Sequence, residues 1–355
     1  MSKKNEQTPS SGRCPVGSVG GQAVMEGVMM QSPDKIAMAV RRPDGKVVLR
    51  VRERKILAKR YPILGWPIIR GVVNFVYQLY DGMKTLTASA EIAGGEVEEP
   101  SRFEKKIAKV LHMKPEDVMM VFAVVLAIAL SILLFFVLPT GLEALIKKVV
   151  SSRVLLNIIG GLIRIGVFLL YVGLVSRLKE IHRVFMYHGA EHKTVYCNEA
   201  GLPLTPENAR QFSRLHPRCG TAFLFLVMII SILIGSVADQ VIYLLFGIEK
   251  LGFLLRFGRS LLILPVVTGV SYEVLKGLAH AGDSLIVRAL RWPGLMLQHL
   301  TTREPDDSML EVAIASMKAA KAGAAHYRDE LDPGVYAYSG DEDTEQAADK
   351  DGATA

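Results

Sequence analysis

The stretch Val118–Leu142, VMMVFAVVLAIALSILLFFVLPTGL, runs for 25 residues without a charge. A helix needs about 20 apolar residues to cross the hydrocarbon core of a bilayer. This run is hydrophobic on every face, whereas a helix lying on a soluble core keeps one polar side. It reads as a membrane span, and it sets the fold class: a mainly α, polytopic helical membrane protein.

Three further segments follow. Val154–Ser176 is 23 residues long and is interrupted only by Arg164. Gly220–Ala238 gives 19 uncharged residues. Ser260–Tyr272 gives only 13 before Glu273 and Lys276, so this helix has to continue past Glu273 or be sheltered among the others. The expected spans are therefore about four, at roughly 118–140, 154–176, 220–238 and 260–279. Val241–Leu255 is also apolar and is expected as a re-entrant or interfacial piece.

The remaining composition is ordinary. Of 355 residues, 50% are hydrophobic and 22% charged, and the mean hydropathy is +0.29. A chain with this much apolar surface is not wholly disordered. Three widely spaced cysteines, Cys14, Cys197 and Cys219, do not make a disulfide scaffold. The net charge of +7 would suit nucleic acid or an anionic membrane, and its distribution decides between them. Lys and Arg number 20 before the first span, 7 between spans two and three, and 8 from Lys276 onward, against 3 in each of the other two loops. Basic residues collect on the cytoplasmic side. Both termini and the central loop are thus expected in the cytoplasm, in a multi-pass membrane protein whose partner is the lipid bilayer and not nucleic acid. Met1–Arg13 is polar, without the apolar core of a secretory signal.

The soluble parts follow from local pattern. Residues 1–19 read as a disordered leader and 20–100 as a small cytoplasmic α+β segment. Ile36, Met38 and Val40 alternate with Ala37, Ala39 and Arg41, and Val47, Leu49 and Val51 with Val48, Arg50 and Arg52. Arg42-Pro43-Asp44-Gly45 between them is a turn, so this is a β-hairpin with one apolar face. Ile68, Val72, Phe75, Val76, Leu79 and Met83 recur at helical spacing, which predicts a helix packed on the hairpin or lying along the membrane interface. Glu91–Glu104 reads as a charged linker. Residues 101–280 form the membrane domain, with the cytoplasmic loop 177–219. Residues 281–323 are helical, with Pro293 as a break and with Asp306 and Asp307 placed to cap a helix from Ser308. Residues 324–355 are expected as a disordered acidic tail.

Most reactive side chains lie in the central loop. His188-Gly189-Ala190-Glu191-His192 fits H-x-x-E-H, the inverted zincin pattern. On a helix, residues i and i+4 share a face, so both imidazoles can reach one ion. Glu191, next to one ligand, is placed to act as the general base on a water. The alternative is a solvated basic loop with two hydrogen-bonded histidines. His216-Pro217-Arg218-Cys219 adds an imidazole and a thiol just before span three; its alternative is a membrane-edge turn with a small buried cysteine. Glu273 sits in span four on the loop's side of the membrane, as a metal ligand or as an ion-pair partner of Lys276. Arg164 is read as a helix–helix ion pair or hydrogen bond. The expected set is thus Glu191 as catalytic residue, with His188, His192, His216, Cys219 and Glu273 around a divalent metal, zinc by its ligand types. Gly20–Met30 is Gly-rich without phosphate-loop spacing; it reads as a tight turn with a Met-rich core face, or as a segment that brings Gln22 and Glu26 to a site reaching toward the membrane.

GGQAVMEGVMM, YHGAEHKT, HPRCGT, SYE and PGLMLQHLTTREPDD, in this order between Gly20 and Ala322, resemble the YqhQ-like bacterial membrane family. The resemblance implies an integral protein of the bacterial cytoplasmic membrane and a predicted metal-dependent enzyme with no established reaction. By motif it points to Gln22, Glu26, His188, Glu191, His192, His216, Cys219, Glu273, Asp306 and Asp307. The chain departs from the family pattern at Gln31, where arginine is favoured, and this weakens an anion-binding reading of that turn. The leading expectation is a metal-dependent hydrolase acting at the cytoplasmic interface on a lipid-linked or membrane-protein substrate. Two alternatives stand beside it. One is a non-catalytic assembly factor or transporter subunit in which His188, His192, His216 and Cys219 close a structural zinc site. The other is a metal or proton transporter using Glu273 and Arg164.

Overall fold

The computed structural model describes residues 19–54, 61–94, 115–150, 153–248, 252–282, 284–322, 330–332 and 335–338. The leader before residue 19, most of the linker after Gly94 and the end of the tail lie outside the described residues. The chain falls into two units, Met1–Gly94 with Val175–Ala355, and Gly95–Leu174.

The first unit is built on an antiparallel sheet of β1 (Gly20–Val24), β2 (Gly27–Gln31), β3 (Lys35–Arg41), β4 (Val47–Glu53), β5 (Glu330–Asp332) and β6 (Val335–Tyr338), in the order β1-β2-β3-β4-β6-β5. The expected hairpin is β3–β4, pairing Ile36 with Arg52 and Arg41 with Val47. The segment Gly20–Met30, expected as a tight turn, is a second hairpin. Val24 pairs with Gly27, so Met25 and Glu26 form the turn, and Glu26 takes φ 49. That left-handed conformation is uncommon outside glycine. Part of the tail expected to be disordered also joins the sheet. Val335-Tyr336-Ala337-Tyr338 is rich in strand-forming residues, and it finds the otherwise open edge of β4.

The sheet has two buried faces, not one. Val28, Met30, Ala37, Ala39 and Leu49 belong to one core, and Val24, Met29, Ile36, Met38 and Val40 to the other. Ala37 and Ala39 looked like the weak side of the hairpin in sequence. Their small side chains instead admit a helix, and the Ala37 carbonyl accepts a hydrogen bond from Ser316 at 2.9 Å.

Helix α1 (Ile69–Ile92) covers the second face, with Ala88 and Ile92 packed into that core. Its orientation is the reverse of a soluble amphipathic helix. Gly71, Asp81, Thr85 and Ser89 are buried, while Val76, Leu79 and Met83 stand more than half exposed at 59%, 55% and 62%. The polar side faces protein because it has partners there: Asp81 pairs with Arg52, and Ser89 accepts from the Met25 N–H at 3.2 Å.

In the second unit, α2 (Pro115–Ile132) passes through a π turn at Leu133–Val137 into α3 (Leu138–Ile146), which is followed by α4 (Arg153–Val175). Pro139 has no N–H for the helical ladder, and its ring would crowd the preceding turn, which the wider π turn relieves. Arg164 donates to Glu143 at 2.5 Å, the helix–helix ion pair.

Back in the first unit, α5 (Lys179–Glu199), which carries the H-x-x-E-H motif on a helix, and the short α6 (Pro206–Arg210) make up most of the connection between spans two and three. They are followed by α7 (Gly220–Phe246) and α8 (Phe253–His280), clipped together by Arg259 and Asp239. Val241–Phe246, expected as part of a re-entrant piece, is simply the end of α7. Helix α9 (Leu285–Thr301) continues through Pro293 instead of breaking there, and α10 (Asp307–Ala322) packs on the sheet with α5.

Four helical stretches are long and apolar enough to cross a membrane: Val124–Ile146, Ile158–Val175, Phe223–Phe246 and Leu254–Leu278. The last reaches past Glu273 and also extends upstream over Arg256 and Arg259, which lengthens the 13-residue core seen in sequence. By length and composition this is a membrane protein.

Candidate metal centre

Helix α5 carries His188, Glu191 and His192 on its buried side, with exposures of 9%, 5% and 1%. Residues 188 and 192 are one turn apart, so their rings lie side by side on one face, tilted by 59° with centroids 4.4 Å apart. Cys219 comes from the N-cap of α7, where the positive end of a long helix suits an anionic sulfur ligand.

The hydrogen bonds orient both imidazoles. His188 donates Nδ1–H to the Thr301 carbonyl at 2.8 Å, and His192 donates Nδ1–H to the Arg214 carbonyl at 2.5 Å. A carbonyl only accepts, so in the neutral ring each Nε2 is left with its lone pair. Both lone pairs converge on Cys219. His188 Nε2 lies 3.1 Å from the thiol sulfur, and the three ligand atoms are all within 4.8 Å of one another. His192 Nε2 is buried and has no hydrogen-bond partner. An orphaned, correctly protonated nitrogen aimed at a thiol is what a metal site presents, since ligating histidines usually donate their other N–H to a carbonyl or carboxylate. Burial pushes the His192 pKa down to about 4, which keeps the ring neutral.

Glu191 closes the group. Its Oε2 is 3.8 Å from His188 Nε2 and 3.9 Å from His192 Nε2. Burial holds its carboxyl above the usual range, against the pull of His188, His216 and the Gly21 N–H. Gly21 of β1 lies directly over it: a Cβ there would come within 3.1 Å of Glu191 Cγ and 2.5 Å of the Met29 carbonyl oxygen.

The other expected residues are placed differently. His216 lies beside His192, with ring centroids 5.6 Å apart, but has the opposite tautomer. Its Nδ1 accepts from the Arg218 N–H at 3.3 Å, so the ring proton sits on Nε2, which faces Glu199 at 3.6 Å. Burial keeps it neutral as well, with a pKa lowered to about 4. Glu273 stands outside the His188, His192 and Cys219 group. It is held by Arg70 of α1 through two nitrogens, and it accepts from the Ile68 N–H at 3.3 Å, so its ion-pair partner is Arg70 in place of the expected Lys276. Gln22 faces away from the centre, toward Gly82 of α1. Glu26 is clamped by the Arg183 guanidinium and by the Tyr187 hydroxyl at 3.3 Å. Asp306 caps α10, and Asp307 pairs with Arg210.

Sequence reading missed the groups that orient the ligands. Gln298 of α9 accepts from the His216 N–H at 2.7 Å and donates to the His216 carbonyl at 2.8 Å, which fixes the turn leading into Cys219. Its signal was a lone amide in LMLQHL. The Thr301 and Arg214 carbonyls had none, because every residue carries one.

Fold and centre together define a class: a helical membrane protein whose antiparallel sheet and surrounding helices enclose a buried His, His, Cys and Glu cluster at the start of α7. The chain belongs to the family described as "Protein of unknown function (DUF1385)", whose model matches residues 66–322. It is 34% identical over 297 residues to "Uncharacterized protein YqhQ" of Bacillus subtilis (strain 168), covering 84% of this chain and 90% of that protein. No solved structure matches it.

Proposed function

We propose that this protein is a zinc-dependent hydrolase of the bacterial cytoplasmic membrane, with His188, His192 and Cys219 as ligands and Glu191 as the general base. The observation that carries the reading is the convergence of two Nε2 lone pairs on the Cys219 thiol, with both Nδ1–H groups already committed to backbone carbonyls. Three protein ligands of nitrogen and sulfur suit zinc and leave a position open. The ion, when bound, supplies Lewis acidity toward a carbonyl or phosphoryl oxygen. The chain supplies the rest. Thr301 and Arg214 hold the ligand tautomers, and Gly21 fixes the Glu191 carboxyl. The buried Glu191 takes a proton from the attacking water and returns it to the leaving group.

Position supports a lipid-linked or membrane-protein substrate. Cys219 stands four residues before the membrane-spanning stretch that starts at Phe223, about 6 Å at the helical rise. The excess of Lys and Arg in the termini and in 177–219 supports a cytoplasmic location for the centre.

A closed structural site is the competing reading, favoured by the burial of all four groups and the approach of Glu191 as a fourth ligand. The deciding experiment is metal analysis of detergent-purified protein, followed by cobalt substitution. The hydrolase reading expects one zinc per chain, its loss in His192→Ala and its retention in Glu191→Gln. It also expects a cobalt spectrum that changes when azide is added, because an open position accepts an outside ligand. A spectrum indifferent to azide, with zinc lost in Glu191→Gln, supports the structural site. Equal zinc in wild type and His192→Ala removes the metal altogether.

A further inference from the structure

On the opposite face of β1 from the metal centre lies a cavity of about 120 Å³ that the proposed reaction does not use. Its wall combines Gln22, Gln31, Asn74 and Gln78 with Arg54 and with Tyr272 of α8. Asn74 and Gln78 are exposed and form its mouth. Amides offer donors and acceptors side by side, which matches hydroxyl groups. Asp81 also lines the cavity, but its charge is taken by Arg52. Arg54 donates to the Ser32 carbonyl at 3.3 Å and meets no carboxylate within ion-pair distance among the described residues. Among the described residues this positive charge has no counter-ion in the cavity, which favours an anion.

Its depth is set by α8. Tyr272 lies in the last two turns of the membrane-spanning stretch Leu254–Leu278. Helix α1 is seated against the same turns: a Cβ on Gly71 would fall 2.7 Å from the Tyr272 Cβ. The mouth thus opens at headgroup level. Beside it run Val76, Leu79 and Met83 of α1, an apolar stripe left exposed by the described residues of its own unit. A helix with one apolar face at this level lies in the acyl boundary.

We propose that this cavity binds the headgroup of an anionic, hydroxyl-bearing glycerophospholipid. The phosphate sits at Arg54, the headgroup hydroxyls meet the amides of Gln22, Gln31, Asn74 and Gln78, and the acyl chains lie along the α1 stripe. The site is separate from the metal centre and does not depend on it.

The test is titration of the full-length protein in neutral detergent with dihexanoyl phosphatidylglycerol, dihexanoyl phosphatidylcholine and glycerol 3-phosphate. Phosphatidylglycerol is expected to bind most tightly. Arg54→Gln and Asn74→Leu should each weaken it by about tenfold, the effect of losing a strong hydrogen bond, with zinc content unchanged. Asn74 is exposed, so Asn74→Leu carries the test if Arg54→Gln does not fold. Equal phosphatidylglycerol affinity in wild type and the folded variants would overturn the proposal. So would equal binding of phosphatidylcholine, which lacks the hydroxyls. Glycerol 3-phosphate binding as tightly as the lipid would identify a free phosphate ester as the ligand and overturn the lipid assignment.

Discussion

Gly189 and Arg303 are in such close contact that a Cβ on the glycine would lie 2.0 Å from the Arg303 carbonyl oxygen. The extended chain from Thr302 to Asp306 crosses α5 there, directly after Thr301, whose carbonyl orients His188. The glycine inside H-x-x-E-H is thus a packing requirement. The helix tolerates it because tertiary ion pairs hold it on both sides of the glycine, Arg183 with Glu26 and Glu199 with Arg218.

Gly189→Ala is accordingly expected to cost about 2 kcal/mol, within the range for overpacking a tight contact. It should also lower zinc content by displacing Thr301 from His188. Thermal melting with metal analysis checks both, and an unchanged zinc stoichiometry would show that Thr301 does not position the ring.

Cys219→Ala and His216→Ala separate ligand from neighbour. Cys219 contributes one of the three converging atoms, whereas His216 presents Nε2–H to Glu199. Zinc should be lost from Cys219→Ala and kept by His216→Ala, as measured by elemental analysis of the purified variants.

Glu273→Gln should leave zinc unchanged but lower the melting temperature, because it disrupts the two-nitrogen clamp from Arg70. Arg70→Gln should behave alike, and the double variant should melt no lower than the worse single variant, since residues of one pair are not additive. Zinc loss in Glu273→Gln would place this carboxylate back among the ligands.

Asp306→Ala should cost about 1 kcal/mol, the contribution of an N-cap, because its carboxylate accepts from the Met309 N–H at 2.9 Å. Asp307→Ala should cost less, since its pair with Arg210 is largely exposed. The Asp306 carboxyl is held below its ordinary value: burial pushes it up, but bonds from Ser308 and Met309 and the charge of Arg183 outweigh that. A depressed carboxylate stabilises the fold above its unfolded pKa of about 3.9, and this contribution is lost as pH falls through the lower folded value. The gap between wild type and Asp306→Ala should therefore close below about pH 4 in melting experiments.

Topology needs an introduced thiol, because Cys197 is fully buried and would escape any reagent on either side. Leu202→Cys, at a 40% exposed position in the α5–α6 connection, should resist an impermeant maleimide in intact cells and react after permeabilisation. Labelling in intact cells would place the metal centre outside.

The spans were legible along the chain because lipid imposes a one-dimensional rule: about 20 apolar residues in a row, whatever lies beside them. H-x-x-E-H was legible for a similar reason, since i and i+4 share a helical face before any packing. The β3–β4 hairpin announced itself through alternation and Pro-Asp-Gly chemistry.

What local pattern could not supply was choice of partner. Glu273 looked equally suited to zinc and to Lys276, and it pairs with Arg70, 203 positions away in sequence. His216 carries the same ring as His188 and His192, but the Arg218 N–H on its Nδ1 turns its lone pair away from the centre. The apolar stripe of α1 suited the hairpin and the membrane interface alike in sequence, and it faces outward, because Asp81, Thr85 and Ser89 find their hydrogen bonds on the sheet side. Val335–Tyr338 becomes a strand because β4 offers it an edge. A hydrophobic run or a helical repeat is a property of neighbours along the chain, so composition and spacing determine it. Tautomer, ion-pair partner and the exposed side of a helix depend on which distant backbone groups arrive within about 3 Å, the reach of a hydrogen bond. Only the folded chain settles that.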